Sequence, residues 1–373
     1  MSAYRVIGLV AMLAAVLGTA GCGKSDQVTL TYNSWVPASE IGNSVGSQPF
    51  FRRVEAETNG AVTFKSFFQG QMMGQVETLG AIRDGAVDSG FVIANVTPKD
   101  LPYNTMFSDT QGIDIDSLAS AGANNETILL DCPQCQEELK RNNVIALGGH
   151  ATAPYYLVCR KELHTVDDLK GLRVRASLRF YADAAQTFGA TPVNVSFPEM
   201  VPALQRGQVD CLIANQYWIE AYKLGGTIKS IVTTRTFGCL PTAGLIYVNR
   251  GVWDALSSEV RHAMIRNMPK AIADTTIALN EQAGPAMDYA LAAGAKAVDL
   301  GPEFAEKMDA FQAAERHRIV EVAEGLGATD AEMLMQKYLQ NYAKWQKIVA
   351  ETGMDRDKFA QALWDQIYSK VDF

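Results

Sequence analysis

The stretch Leu169–Asn215, LKGLRVRASLRFYADAAQTFGATPVNVSFPEMVPALQRGQVDCLIAN, restricts the fold more than any other part of the 373-residue chain. It reads as alternating strands and helices. Leu172–Ala176 is a short strand, and Leu178–Phe188 has helical apolar spacing closed by Gly189, a C-cap residue. Pro192–Phe197 is again strand-like. Pro198–Arg206 is a second helix with Pro in its first turn and Gly207 after it, and Val209–Ala214 is a third strand. Strands joined by short helical crossovers lie parallel, because neighbouring parallel strands need a crossover between them. Ligands of such sheets gather at the carboxyl ends of the strands, where Arg175 and Asn215 stand. The planar fork of a guanidinium is the side chain best matched to a carboxylate, which makes Arg175 a candidate anchor. By position alone it serves equally well as an ion-pair partner for Asp168.

The remainder repeats this α/β grammar. Val28–Trp35 is a strand, and Ser39–Glu57 holds a helix with Phe50, Phe51 and Val54 inward, ended by the turn Thr58-Asn59-Gly60. Ala61–Phe67 is the next strand, Gln75–Asp84 a helix, and Ser89–Ala94 a buried strand. The junction DGAVD at residues 84–88 mirrors RGQVD at 206–210, as though two similar lobes met along matching edges. Residues 98–142 read as loop followed by a helix near Ile128–Lys140. Val144–Leu147 and Tyr155–Cys159 read as strands flanking Gly148-Gly149-His150. From Glu259 the chain is almost wholly helical, and these helices are expected around the second lobe.

The N-terminus reads as a targeting segment. Arg5 precedes thirteen mostly apolar residues, Val6–Gly18, too few to span a bilayer but suited to the core of a signal peptide. Thr19-Ala20-Gly21-Cys22 resembles a bacterial lipobox, so lipidation of Cys22 is favoured over simple cleavage, with a short tether at 23–27. An exported chain is expected in the periplasm or otherwise outside the cytoplasm, touching a membrane only through that lipid. The formal charge of −8 comes without any Lys/Arg run, which argues against nucleic acid as a partner. Cys132, Cys135, Cys159, Cys211 and Cys239 form an odd set beyond Cys22, and an oxidising compartment permits disulfides. Cys132-Pro-Gln-Cys135 has redox-motif spacing without the surrounding strand-to-helix context, so a local structural disulfide is the preferred reading. No spacing suggests a metal site, and no cofactor is expected.

LKGLRVR, FGATPV, FPEMVPALQRGQVD and, further on, VNRGVWDALSSEVRHAM resemble the solute-binding proteins of TRAP transporters, the DctP-type family. The resemblance implies a two-lobed periplasmic-binding-protein fold of class II type, with hinge strands between the lobes and long C-terminal helices. It divides the chain into 28–152 plus 241–280 as lobe I, and 153–240 plus 281–373 as lobe II with the C-terminal helices. It implies that Arg175, the Arg of the GL-x-x-R strand, grips the substrate carboxylate. Phe197 matches the family's aromatic at the start of the next helix, and Asn33 a polar position at the end of the first strand. Asn215 falls near the family's polar residue after VDG-x-E, although Cys211 replaces the Gly here and the run is one residue longer. Trp35, Tyr155, Tyr156, Tyr217 and Trp218 are aromatics near strand ends. Each read singly belongs in the core, yet several together are expected to line the cleft. Gln75 and Asn95 follow cleft-facing segments. A second family Arg, one strand upstream, falls on Tyr155–Tyr156, which hints at an acid that is partly apolar or aromatic.

The resulting expectation is a binding protein that captures an organic acid between its lobes and delivers it to the membrane subunits of a transporter. A ligand-binding module of a sensory system is the alternative on the same fold. An exported hydrolase or lyase is the third reading, and it lacks support. None of the four His residues shares a motif with a nucleophile, and only His150, in GGHATAP, is placed to reach a cleft.

Overall fold

The computed structural model describes residues 27–371 except 114 and 242. The signal-peptide and lipobox readings lie outside the described residues. Two sheets organise the chain, giving the two-lobed α/β fold expected. The first contains β1 (Val28–Asn33), β2 (Val62–Phe67), β3 (Ser89–Val92), β4 (Val144–His150) and β10 (Ala243–Asn249), in the order β2-β1-β3-β10-β4. The second contains β5 (Tyr155–Cys159), β6 (Arg173–Arg175), β7 (Thr191–Val193), β8 (Cys211–Asn215), β9 (Ser230–Val232) and β11 (Lys296–Val298), in the order β11-β9-β5-β8-β6-β7. β6 pairs parallel with both β7 and β8, as the crossover argument requires. β5 runs antiparallel to β8 and to β9, so the sheet as a whole is mixed.

In the first sheet, β1 lies parallel to β2 and β3, and β10 runs antiparallel between β3 and β4. The short β3 is buried along its whole length, as a central strand covered on both faces must be. The carboxylate of Asp88 accepts hydrogen bonds from the Thr31 backbone N–H and hydroxyl at 2.7 Å, which pins the turn before β3 against β1.

The glycines of Gly148-Gly149-His150 mislead as turn signals. They lie inside β4, whose last residue is His150. Gly148 has φ +133°, and a Cβ there would collide with the Tyr368 hydroxyl and with Asn125 Oδ1, so the strand passes too close to its neighbours for any side chain. Residues 98–142 hold more helix than the sequence suggested, at Pro102–Ser108, Ser117–Glu126 and Pro133–Arg141.

Two linkers cross between the sheets, 151–154 after β4 and 233–241 after β9. They run side by side. Thr152 N donates to Leu240 O at 3.0 Å, Leu240 N to Thr152 Oγ1 at 3.0 Å, and Tyr155 N to Gly238 O at 2.9 Å. The three bonds tie the two linkers into one ribbon between the sheets.

The C-terminal helices depart from expectation. Gly301–Gly325 touches Arg179–Thr187 of the second lobe, but also Pro102–Ser108 on the first-sheet side. Ala331–Thr352 packs along Ser117–Glu126, and Arg356–Leu363 along the long helix Ser258–Glu281, which itself covers β4. The reason is apolar burial. Trp345, Tyr338 and Phe359 are fully buried in these contacts, and a Cβ on Gly122 would strike the Trp345 ring.

Disulfides join Cys132 to Cys135, as read from the sequence, and Cys159 to Cys211. The second links directly opposed residues of β5 and β8. Cys239 is buried and belongs to neither. Among the described residues no helix is long and apolar enough to cross a membrane.

Candidate functional site

The ends of both sheets converge on a small inner cavity of about 50 Å³. From the first sheet come Trp35 after β1, Phe91 and Ile93 around the end of β3, and His150 at the end of β4. From the second come Tyr155 at the start of β5, Asn215 at the end of β8, Trp218 in the helix Tyr217–Ala221, and Phe197 after β7. Parallel β6, β7 and β8 all point their carboxyl ends this way, and antiparallel β5 presents its first residue.

The rings form a continuous chain. Trp35 stacks on Phe91 at 5.1 Å between ring centroids and meets Phe197 edge-on at 5.6 Å. Phe197 contacts Trp218 at 5.1 Å, Trp218 contacts Tyr155 at 5.4 Å, and Tyr155 leans on Tyr181 at 5.3 Å. The Trp35 indole N–H donates to Phe91 O at 3.1 Å and so holds its ring in place. The Trp35–Phe197 contact spans the two lobes. Both rings also wall an outer groove with Gln75, Asn95, Ser177, Asn194 and Ser196, so this pair is the partition between inner cavity and groove.

Arg175 ends β6 and is only 5 % exposed. Its Nε donates to Val195 O at 3.0 Å, and Tyr155 and Tyr181 lie beside the guanidinium. It does not itself line the inner cavity. Tyr155 lines that cavity, while Asn194 and Ser196, flanking Val195, line the outer groove, so Arg175 stands in the wall between the two. Burial pushes its pKa down to about 10, which leaves it charged at neutral pH. Among the described residues no carboxylate forms an ion pair with it. Asp168 instead binds its own turn, accepting from the backbone N–H groups of His164 at 2.8 Å and Thr165 at 2.9 Å.

The other charged residues of the segment are engaged elsewhere. Arg173 is half-exposed and pairs with Asp210, whose pKa this pairing and the nearby Lys161 hold down at about 2 against burial. Arg179 is mostly buried in a cluster with Asp109 at 3.2 Å, Asp183 at 3.0 Å and the fully buried Glu315 at 2.9 Å. Arg160 lies against Gly207, beyond the Cys159–Cys211 end of β5 and far from Tyr155 along the strand.

The candidate residues divide into three sets. Trp35, Phe197, Tyr155, Trp218 and Asn215 line the inner cavity. Asn215 does so with its amide already engaged, Nδ2 donating to Ala153 O and Oδ1 accepting from Tyr217 N, both at 3.0 Å. Gln75 and Asn95 line the outer groove, where Asn95 Nδ2 donates to Asp109 Oδ1 at 3.2 Å. Asn33 and Tyr156 line neither. Asn33 is fully buried and clamps the 73–78 segment through Met73 and Thr78. Tyr156 is the neighbour of Tyr155 on a strand and so faces the other way.

Sequence reading missed Glu40, Phe91 and Ile93, which carry no motif, and set His150 aside from its site residues. Burial raises the Glu40 carboxyl to about 7, although the Gly42 and Ile41 N–H groups favour its charged form. Burial likewise lowers His150 to about 3, so its ring is neutral. His150 Nδ1 is buried without a partner. Among the described residues no His, Cys, Asp and Glu cluster suits a metal ion.

The sequence matches the family described as bacterial extracellular solute-binding protein, family 7 (DctP), over residues 34–322. It is similar to the C4-dicarboxylate-binding periplasmic protein DctP of Rhodobacter capsulatus, 25 % identical over 287 residues, covering 74 % of this chain and 80 % of that protein. Among solved structures it resembles a TRAP solute-binding protein of an unidentified marine microbe, specific for aromatic acid ligands, in complex with metahydroxyphenylacetate. Identity is 21 %, coverage 85 % of this chain and 99 % of that one, and the TM-score 0.74. A TRAP solute-binding protein of Rhodoferax ferrireducens T118, in complex with copurified benzoate, gives 20 % identity, 86 % and 99 % coverage, and a TM-score of 0.75.

Proposed function

The chain belongs to family 7 of the bacterial extracellular solute-binding proteins, and on that premise we propose that it captures an organic acid between its lobes with Arg175 as the anchor. One observation carries the assignment of the anchor. A buried guanidinium with no carboxylate partner among the described residues stands directly behind Tyr155, which lines an aromatic cavity, at the carboxyl end of a parallel strand. Removing such a group from water is costly unless an anion joins it, and a ligand carboxylate is the anion that matches its fork. The cavity is closed by the Trp35–Phe197 contact, so the solute enters when the hinge opens and is sealed in when it shuts.

The walls favour an aromatic monoacid over a small diacid. Five rings surround the cavity, and Arg160, the basic residue nearest Tyr155 and Tyr156 in the sequence, lies at the far end of β5. Dicarboxylate recognition, named for the Rhodobacter relative, calls for a second cation. Aromatic acid ligands, named for the marine protein, need a single anchor and apolar faces.

The rest of the proposal follows from the family. The loaded protein delivers its solute to the integral membrane subunits of a TRAP transporter and catalyses no reaction. Residues 1–22 are its export signal, Cys22 carries a lipid outside the cytoplasm, and 23–27 is the tether. Sheet membership supports 28–152 plus 241–280 as one lobe and 153–240 as the body of the other. Labelling with a fatty-acid analogue should follow the protein and vanish in Cys22→Ser.

The central test is calorimetric titration with organic acids chosen by thermal shift. Arg175→Ala should weaken the best acid at least about tenfold, the equivalent of about 1.4 kcal/mol. Arg175→Lys should also weaken it, since an ammonium lacks the fork. Unchanged affinity in a well-folded Arg175→Ala protein rejects the anchor.

A further inference from the structure

Arg175 and the aromatic walls leave two polar side chains of the inner cavity without a task. Glu40 follows β1 and His150 ends β4, so both approach from the first sheet, whereas Arg175 belongs to the second. They converge on Gly42. A Cβ built there would stand 3.0 Å from Glu40 Oε2 and 3.6 Å from His150 Cε1. The carboxylate accepts from Gly42 N at 2.6 Å, with the Ile41 N–H also turned to it, and among the described residues no cation pairs with it. The imidazole is 4 % exposed, lies over Phe91 with centroids 6.2 Å apart, and has its buried Nδ1 unpartnered.

A neutral imidazole carries one donor and one acceptor nitrogen, and a carboxylate offers several acceptor sites. Buried polar atoms are nearly always satisfied by protein, water or ligand, so an orphan ring nitrogen in a cavity wall points to something that fills it. A hydroxyl both donates and accepts, and so satisfies the carboxylate and either tautomer of the ring. An ammonium has no lone pair for an imidazole N–H.

We propose that Glu40 and His150 read a hydroxyl group carried by the bound acid on the side away from its carboxylate, so that the solute is a hydroxylated aromatic acid. This rests on the acid-binding reading with Arg175 as anchor. The burial that keeps His150 neutral and leaves Glu40 about half protonated at pH 7 supports it, because a hydroxyl can accept from the protonated carboxyl or donate to the ionised one.

The test is titration calorimetry of the purified protein with benzoate, 3-hydroxybenzoate, 4-hydroxybenzoate and 4-(aminomethyl)benzoate. One hydroxybenzoate should bind at least about tenfold more tightly than benzoate, since a hydroxyl lost from a polar site leaves partners unpaired. In Glu40→Met and His150→Phe that ratio should fall toward one. The wild-type ratio decides the matter even if a variant fails to fold. Equal binding of benzoate and both hydroxybenzoates overturns the proposal while leaving the Arg175 reading intact. Tightest binding of the aminomethyl acid, or an unchanged ratio in both variants, also overturns it. Failure of every acid to bind, or binding equally tight in Arg175→Ala, removes the acid site and this proposal together.

Discussion

A guanidinium taken out of water beside two tyrosines is held there against its own hydration. Among the described residues, the Nε–Val195 bond is the one hydrogen bond that offsets that cost. Arg175→Met should therefore leave the ligand-free protein at least as stable as the wild type in urea, while binding is lost. A drop of more than about 1 kcal/mol would mark the residue as structural instead. Glu40 makes a second prediction at this scale. Its folded pKa of about 7 exceeds the ordinary carboxyl value of 4.5, so between these pH values the folded state holds the extra proton. Stability then falls as pH rises through 4.5 to 7, and no penalty remains below 4.5. Glu40→Gln should gain on the wild type by about 3 kcal/mol as pH goes from 4.5 to 8, read from urea midpoints without ligand. A constant difference across that range refutes the assignment. His150 has the opposite sign. Its lowered pKa means the unfolded chain takes the proton first as pH falls below 6.5, so acid destabilises through this residue.

Strands and helices in the best-patterned segment were legible because their caps and turns are local. Gly189 and Gly207 both take the positive φ, +72°, that a helix-ending glycine provides. The β6–β7–β8 parallel arrangement followed from crossover length alone. Elements whose signals are nonlocal were misread. The glycines of β4 resemble a turn until Tyr368 and Asn125, from distant segments, are seen to crowd them. The disulfides illustrate the same division. Cys132–Cys135 is legible from spacing, whereas Cys159 finds Cys211 only because β5 and β8 become neighbours. The latter closes a loop of 52 residues that contains β6 and β7, so removing it frees a large part of the unfolded chain. Replacing both of its cysteines by Ala should cost about 2–4 kcal/mol, and replacing Cys132 and Cys135 clearly less. Denaturant midpoints of the two double variants give the comparison, and a larger loss for the short loop contradicts it.

At the scale of the molecule, the linker ribbon and the interlobe aromatic contact make binding a closing motion. A ligand present at a hundred times its dissociation constant should add about 2.7 kcal/mol of stability. Small-angle scattering should record a smaller radius of gyration once the acid is added, and no change in Arg175→Ala at the same concentration. An unchanged radius in the wild type, with binding confirmed calorimetrically, refutes hinge closure. The Arg179 cluster bears on the same motion, because it ties Asp109 near the first-lobe helices to Glu315 on Gly301–Gly325. Arg179→Ala leaves Asp109 buried without its cation and Glu315 with Arg318 alone, and should cost about 3 kcal/mol, measured by chemical denaturation.

From the sequence alone came the α/β grammar, the parallel core of the second sheet, the two matching lobes and Arg175 at a strand end. All of these rest on periodicity, caps and crossover lengths within some 50 residues of chain. Tertiary structure alone decided what completes the cavity near that Arg. Phe91 and Glu40 carry no local signal, and Asn33, although it stands at a strand end, has its amide consumed by a neighbouring loop. The reason is geometric. A cavity wall is assembled from single residues of many segments, and hydrogen-bond competition for each polar group is settled only when those segments meet.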